Sequence, residues 1–163
     1  MTNPPTPPAI GRDLAALSGH DLWHAEDLQV GDRMNLGSVD VTREAIIDFA
    51  ARYDPLEIHL DDTRSPFGDI IASGVHTMAY FSSMASRSFF PRLALVAGKG
   101  IERMRLPHPV FPGACLTGQI RIDDVVMKPE RADIVCGSTM VDQSGRVVLD
   151  FIAITVVARR KHR

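Results

Sequence analysis

The chain has 163 residues, a length that suits one domain with a sizeable core. Hydrophobic residues make up 45% and charged residues 23%, and the formal net charge is -2; this is an ordinary globular composition, without the field a nucleic-acid or anionic-membrane binder would use. Aromatic content of 6%, with no basic patch interleaved with aromatics, argues further against single-stranded nucleic acid.

The N-terminal "MTNPPTPPAIGRD" has four prolines in its first eight residues. It reads as an extended, flexible arm over residues 1–20. It lacks a basic n-region and an apolar h-region, so it is not a signal peptide. Residues 21–158 read as a single domain, and "ARRKHR" ends the chain as a basic, solvated tail over 159–163. Residues 22–32 form a loop. "RMNLGSVDV" then offers a broken alternation that predicts a first strand. Thr42 is a good N-cap with Glu44 in the following turn, and "REAIIDFAARY" spaces Ile46, Phe49, Ala50 and Tyr53 on one helical face. Asp54-Pro55 ends that helix, because a residue before proline is pushed out of the helical region.

After the turn-rich "DDTRSPFGD" comes a run from Ile70 to Ser86 in which no side chain carries a full charge. It is too short and too polar for a membrane span, and a helix without a charged face is expected to be buried nearly all round. Beyond Pro91 the pattern changes to strands. "AGKGIERMRL" holds one. "LTGQIRID" alternates cleanly, with Leu116, Gly118, Ile120 and Ile122 on one side. "ADIVCGSTMV" and "RVVLDFIAITVVA" follow, separated by turns at 128–130 and 142–145. The last is apolar on both faces, so both should be covered. Strands wrapped on one charge-free helix satisfy all of this as a single α+β layer pair.

The chemistry is concentrated in two places. In "YDPLEIHLD" an acid, Asp54, precedes His59 by five residues across a proline. A histidine and a carboxylate can activate water together; equally, the two could be a structural pair or a loop cap. Glu57, two residues from His59 in an extended segment, would share its face as a surface neighbour. Asp61 and Asp62 read as solvated. The second place is "ASGVHT" at the start of the buried helix. Backbone N–H groups there lack intrahelical partners and can hold a developing oxyanion, and Gly74 would let a ligand approach. Alternatively Gly74 serves packing and Ser73 caps the helix. His76 reads as a core histidine with its polar atoms satisfied. Cys115 and Cys136 lack metal-ligand spacing and read as reduced, which fits a cytoplasmic protein. No Walker loop, GxGxxG, HExxH, CxxC or GxSxG occurs.

The stretch "DFAARYDPLEIHLDDTRSPFGDIIASGVHT" resembles the MaoC-like dehydratase family, which includes the (R)-specific enoyl-CoA hydratases. The shared pattern is an Asp and a His five residues later with a proline between, followed by an Ile-Ala-x-Gly helix start. Here these are Asp54, Pro55, His59 and Ile71-Ala72-Ser73-Gly74. The likeness extends through "EDLQVGDRMNLGSVDVTREAIIDFA" and "RLPHPVFPGACLTGQIRI", over about residues 23–158. It implies a hot-dog fold, a curved antiparallel sheet wrapped around a long central helix. It also implies homodimers, with an acyl-CoA (or acyl-carrier) thioester bound near the interface, and no metal or redox cofactor. The implied activity is water addition to a trans-2-enoyl thioester, or its reversal. Asp54 and His59 would activate the water, and the backbone N–H groups at Ser73 and Gly74 would hold the thioester oxygen. The chain departs from the hydratase pattern in three ways. Tyr53 precedes the Asp, the usual Asn is replaced, and Ser73 stands where a His is often found. Two alternatives remain open at this stage: an acyl-CoA thioesterase, or a non-catalytic acyl-CoA or lipid-binding module on the same fold.

Overall fold

Residues 11–17, 19 and 21–161 are described by the structure, a computed structural model. The alternating run at 116–123 sits in β3 (Cys115–Met127), with Leu116, Gly118, Ile120 and Ile122 buried and Gln119 and Arg121 exposed. Around it β1 (Arg33–Asp40), β3, β4 (Arg131–Val141), β5 (Val147–Ala158) and β2 (Leu95–Arg105) hydrogen-bond in that order as one antiparallel sheet. The β4–β5 turn is closed by Asp142, whose carboxylate accepts from Ser144 N at 2.8 Å and Arg146 N at 3.1 Å. β1 and β2 therefore lie on opposite edges of the sheet. The chain crosses between them through three helices: α1 (Arg43–Tyr53), the single turn α2 (Glu57–Leu60) and α3 (Gly74–Ser88).

Thr42 caps α1 as its sequence predicts, its hydroxyl accepting from Ala45 N at 3.1 Å. α3 packs its Phe81, Met84 and Ala85 side against the sheet. Phe81 meets Phe151 of β5 edge-on, with ring centroids 4.9 Å apart and planes at 82°. Gly118 makes the close approach possible, since a Cβ there would lie 2.9 Å from Met84 Cε. β5 is buried at Val148, Leu149, Phe151, Val156 and Val157, which includes both of its faces. The expected layer pair is what forms. The expectation that α3 is buried all round is corrected. Val75 is 62% exposed, and Ala79, Ser82, Ser83 and Ser86 also face outward in the single chain. The side without charge is thus a surface of small and apolar groups.

Part of the proline-rich arm is docked. Leu14 is fully buried, and the Arg12 guanidinium grips the buried Asp32 carboxylate at 2.9 and 2.6 Å. Residues 1–10, with His20 and His162, lie outside the described residues. At the other end, Arg159 and Arg160 of the basic tail pair with Glu26 and Asp27 at 2.8 and 2.7 Å. The Arg159 hydrogen bond holds the Glu26 carboxyl down at about 2. No helix is long and apolar enough to cross a membrane among the described residues.

His76 is core, but not satisfied. It is sandwiched between Phe49 of α1 and Tyr80 of α3, with both centroid distances 4.4 Å, and its buried Nδ1 has no partner among the described residues. Burial pushes its pKa below the ordinary value. Between the folded and the unfolded value, about 6.5, the unfolded chain binds the extra proton. The contribution of neutral His76 is therefore complete above about pH 6.5 and declines as pH falls below it. Thermal denaturation across pH 4 to 8 checks this. The melting temperature of His76→Phe should fall less steeply on the acid side than that of the wild type.

Candidate functional site

α1 ends because Asp54 precedes Pro55, and the chain then turns back into α2 rather than staying extended. That single helical turn separates Glu57 from His59, which an extended segment would have placed on one face. Glu57 points outward and pairs with Arg64, while His59 is 4% exposed. Asp61 faces its own loop, where the Thr63 hydroxyl and backbone N–H hold its carboxyl below the usual range.

His59 Nδ1 lies 2.6 Å from the carbonyl oxygen of Ile71. A carbonyl only accepts, so Nδ1 carries a proton and Nε2 is the nitrogen left to take up or release one. Nε2 stands 3.3 Å from Asp54 Oδ2. Between an Nδ1-protonated imidazole and a carboxylate there is no proton to share. The pair is therefore satisfied either by protonating Nε2 or by a donor that serves both atoms. A water molecule, with two protons to give, is such a donor. Asp54 Oδ2 also accepts from the Ser73 hydroxyl at 2.6 Å.

Ser73 is the N-cap of α3, its hydroxyl accepting from Val75 N at 3.3 Å. Gly74, the first residue of the helix, has an N–H with no acceptor among the described residues. A Cβ at Gly74 would lie 2.3 Å from Leu106 Cδ1, so the glycine permits a close approach as well as a free amide. His59, Gly74, Thr77, Leu106 and His108 line one cavity of about 430 Å³. Asp54, His59, Ser73 and Gly74, the four residues singled out in the sequence, thus converge at the start of α3. Sequence reasoning missed His108 as a wall of this cavity. Its signal was the proline-set turn "PHPVFPG", and Nδ1 of His108 is anchored 2.8 Å from Val147 O. For Ser73 sequence reasoning offered a backbone role or a helix cap, and not the contact with Asp54. Among the described residues no three His, Cys, Asp or Glu side chains are grouped to hold a metal ion.

A second, largely apolar cavity of about 490 Å³ lies between α3 and the β4–β5–β2 part of the sheet. Phe81, Ser82, Ala85, Gly100, Cys136 and Phe151 are among its walls. Burial pushes the Cys136 thiol up to about 12, so it is a wall and not a nucleophile. The cavities follow one another along α3: Gly74 and Thr77 line the first, and Met78 opens the second.

A helix start feeding an Asp–His pair, on a helix packed across a five-stranded antiparallel sheet, is set in a hot-dog fold. The chain belongs to the MaoC-like domain family, whose pattern matches residues 28–144. A MaoC-like dehydratase from Rhodospirillum rubrum superposes with a TM-score of 0.79 at 34% identity, over 86% of this chain and 99% of that one. An (R)-hydratase from Pseudomonas aeruginosa superposes with a TM-score of 0.68 at 22% identity, over 85% of this chain and 86% of that one. A Bacillus subtilis protein, YdeM, itself uncharacterized, is 28% identical over 90 residues, which is 53% of this chain and 64% of that protein.

Proposed function

We propose that this protein is a hydratase or dehydratase that adds water to, or removes it from, a trans-2-enoyl thioester. Family membership supports the reaction class, and the observation that carries the reading is the 3.3 Å approach of His59 Nε2 to Asp54 Oδ2 beside a free helix-start amide. The substrate is a thioester of CoA or of an acyl carrier. Water is a poor nucleophile, so the pair takes a proton from it as its oxygen bonds to the β-carbon. The electron pair of the C=C bond moves toward the thioester, whose oxygen gains enolate charge. The Gly74 N–H, at the positive end of α3, stabilises that oxygen, with Ser73 N–H beside it. The proton held by the pair then passes to the α-carbon, so the reaction is balanced without any redox partner. The acyl chain extends from the first cavity into the second, along the small side chains Ser82 and Ala85. The cytoplasm is the compartment proposed for this activity.

The active form we propose is a homodimer. β2 is exposed along its whole length, with Val96, Ile101 and Met104 at the surface, beside the uncharged outer side of α3. The apolar groups of β2 alternate with the charges of Lys99, Glu102, Arg103 and Arg105, and together with the outer side of α3 they offer a mixed surface that a second copy would cover. Light scattering after size-exclusion chromatography measures that state directly.

The test of the activity is ultraviolet absorbance with crotonyl-CoA and a longer trans-2-enoyl-CoA, with thiol release followed in parallel. Loss of enoyl absorbance without free thiol is the expected result. Thiol release from a saturated acyl-CoA would turn the assignment to a thioesterase. Tight binding with neither change would make the protein an acyl-thioester carrier or sensor.

A further inference from the structure

We propose that Ser73 is the positioning residue for Asp54, an inference that rests on the Asp54–His59 reading above. The Ser73 side chain has one proton to donate, and a carboxylate only accepts, so the 2.6 Å contact has one direction: Ser73 Oγ–H to Asp54 Oδ2. The same hydroxyl oxygen accepts from Val75 N at 3.3 Å. A chain of donors therefore runs from the backbone of α3 through Ser73 into Asp54, and each bond polarises the next.

Asp54 needs such a hold. It belongs to no helix or strand, its side chain is 29% accessible, and no backbone N–H donates to its carboxylate among the described residues. His59 is the other side chain close to it, and that contact at 3.3 Å is the one the reaction must open and remake. Ser73, by contrast, is 1% exposed and fixed by its place at the start of α3. It sets the rotamer of the carboxylate against His59 and leaves the other oxygen, Oδ1, for the substrate water. Thr77 supports the turn into α3, its hydroxyl donating to Ser73 O at 3.2 Å.

The experiment compares Ser73→Gly, Ser73→Ala and Ser73→Thr with the wild type and Asp54→Asn on one enoyl-CoA, with kcat and KM determined separately and melting temperatures measured. Glycine is tolerated at an N-cap with little loss of helix stability, so Ser73→Gly removes the hydroxyl while sparing the fold. The expected result is kcat lowered about 10- to 100-fold in Ser73→Gly and Ser73→Ala, as for loss of a hydrogen bond to a charged group. KM should stay within about threefold of the wild type, since no direct substrate contact is removed. Ser73→Thr, which retains the hydroxyl, should restore most of the rate. Wild-type kcat in Ser73→Gly, beside an inactive Asp54→Asn, would overturn this inference and leave the Asp54–His59 reading standing. So would a change confined to KM, or a loss in Ser73→Thr equal to that in Ser73→Gly. Full activity in Asp54→Asn would overturn the reading itself, and this inference with it.

Discussion

Asp54→Asn and His59→Ala are each expected to lower the rate of enoyl-thioester hydration by about 10²- to 10⁴-fold, the range that a positioned acid/base contributes. The double variant should lose little more than the worse single variant, because two groups that act on one proton fail as a unit. Asparagine is the right replacement at 54. It has the shape of aspartate and an oxygen that accepts from Ser73, yet it cannot take a proton from water. Its melting temperature should stay close to that of the wild type. His59→Ala carries a structural cost as well, since Ile71 O loses the donor now 2.6 Å away. A buried acceptor left unpaired costs about 1–3 kcal/mol, so the His59 variant should melt lower while remaining folded. Steady-state rates with crotonyl-CoA, alongside thermal melts, separate the two effects. Wild-type turnover in either variant would end the assigned mechanism, whatever the melts report.

Much of the fold was legible because its signals are local. Thr42, the alternation at 116–123 and the Asp54-Pro55 stop each depend on neighbours within a few residues, and each is found where the sequence places it. The conformation after Pro55 was less legible. Nothing local distinguishes an extended 56–60 from a single helical turn, and the helix is chosen by burying His59 against Ile71. That choice decides which carboxylate His59 meets: Asp54, five residues back, rather than Glu57, two residues back. The outer side of α3 misled for the opposite reason. A missing charged face signals that a helix does not want water, but it cannot say whether the cover comes from the same chain. The Ser73–Asp54 contact spans 19 residues and leaves no periodic trace. Its hint was a chemical one, a hydroxyl residue at a place the family often fills with histidine. His76 is in the core as its sequence suggests, but without the expected satisfaction of its polar atoms. Two aromatic faces stabilise its ring, and its Nδ1 has no partner among the described residues.

Substrate length should be set by the second cavity, and Ala85→Leu should reveal it. Ala85 is fully buried in α3, one turn beyond Phe81, and forms part of the cavity wall. Leucine adds three carbons beside a space of about 490 Å³, but at a fully buried residue part of that volume must come from its neighbours, so the variant should melt a little lower while remaining folded. On the proposed path a crotonyl chain would end in the first cavity, beside His59 and Gly74, and its kcat/KM should change little. A chain long enough to pass Met78 must give up the space that leucine takes. Each methylene kept from burial forfeits about 0.8 kcal/mol, so four of them cost about 3 kcal/mol, or about 10²-fold in kcat/KM. The signature is therefore a divergence, with the short substrate unaffected and the loss growing with each added carbon. An equal loss at every length would mean that leucine disturbs the catalytic pair rather than a chain path. No loss at any length would mean that the acyl group leaves the first cavity by another route, across the exposed outer side of α3 where a second copy would close over it.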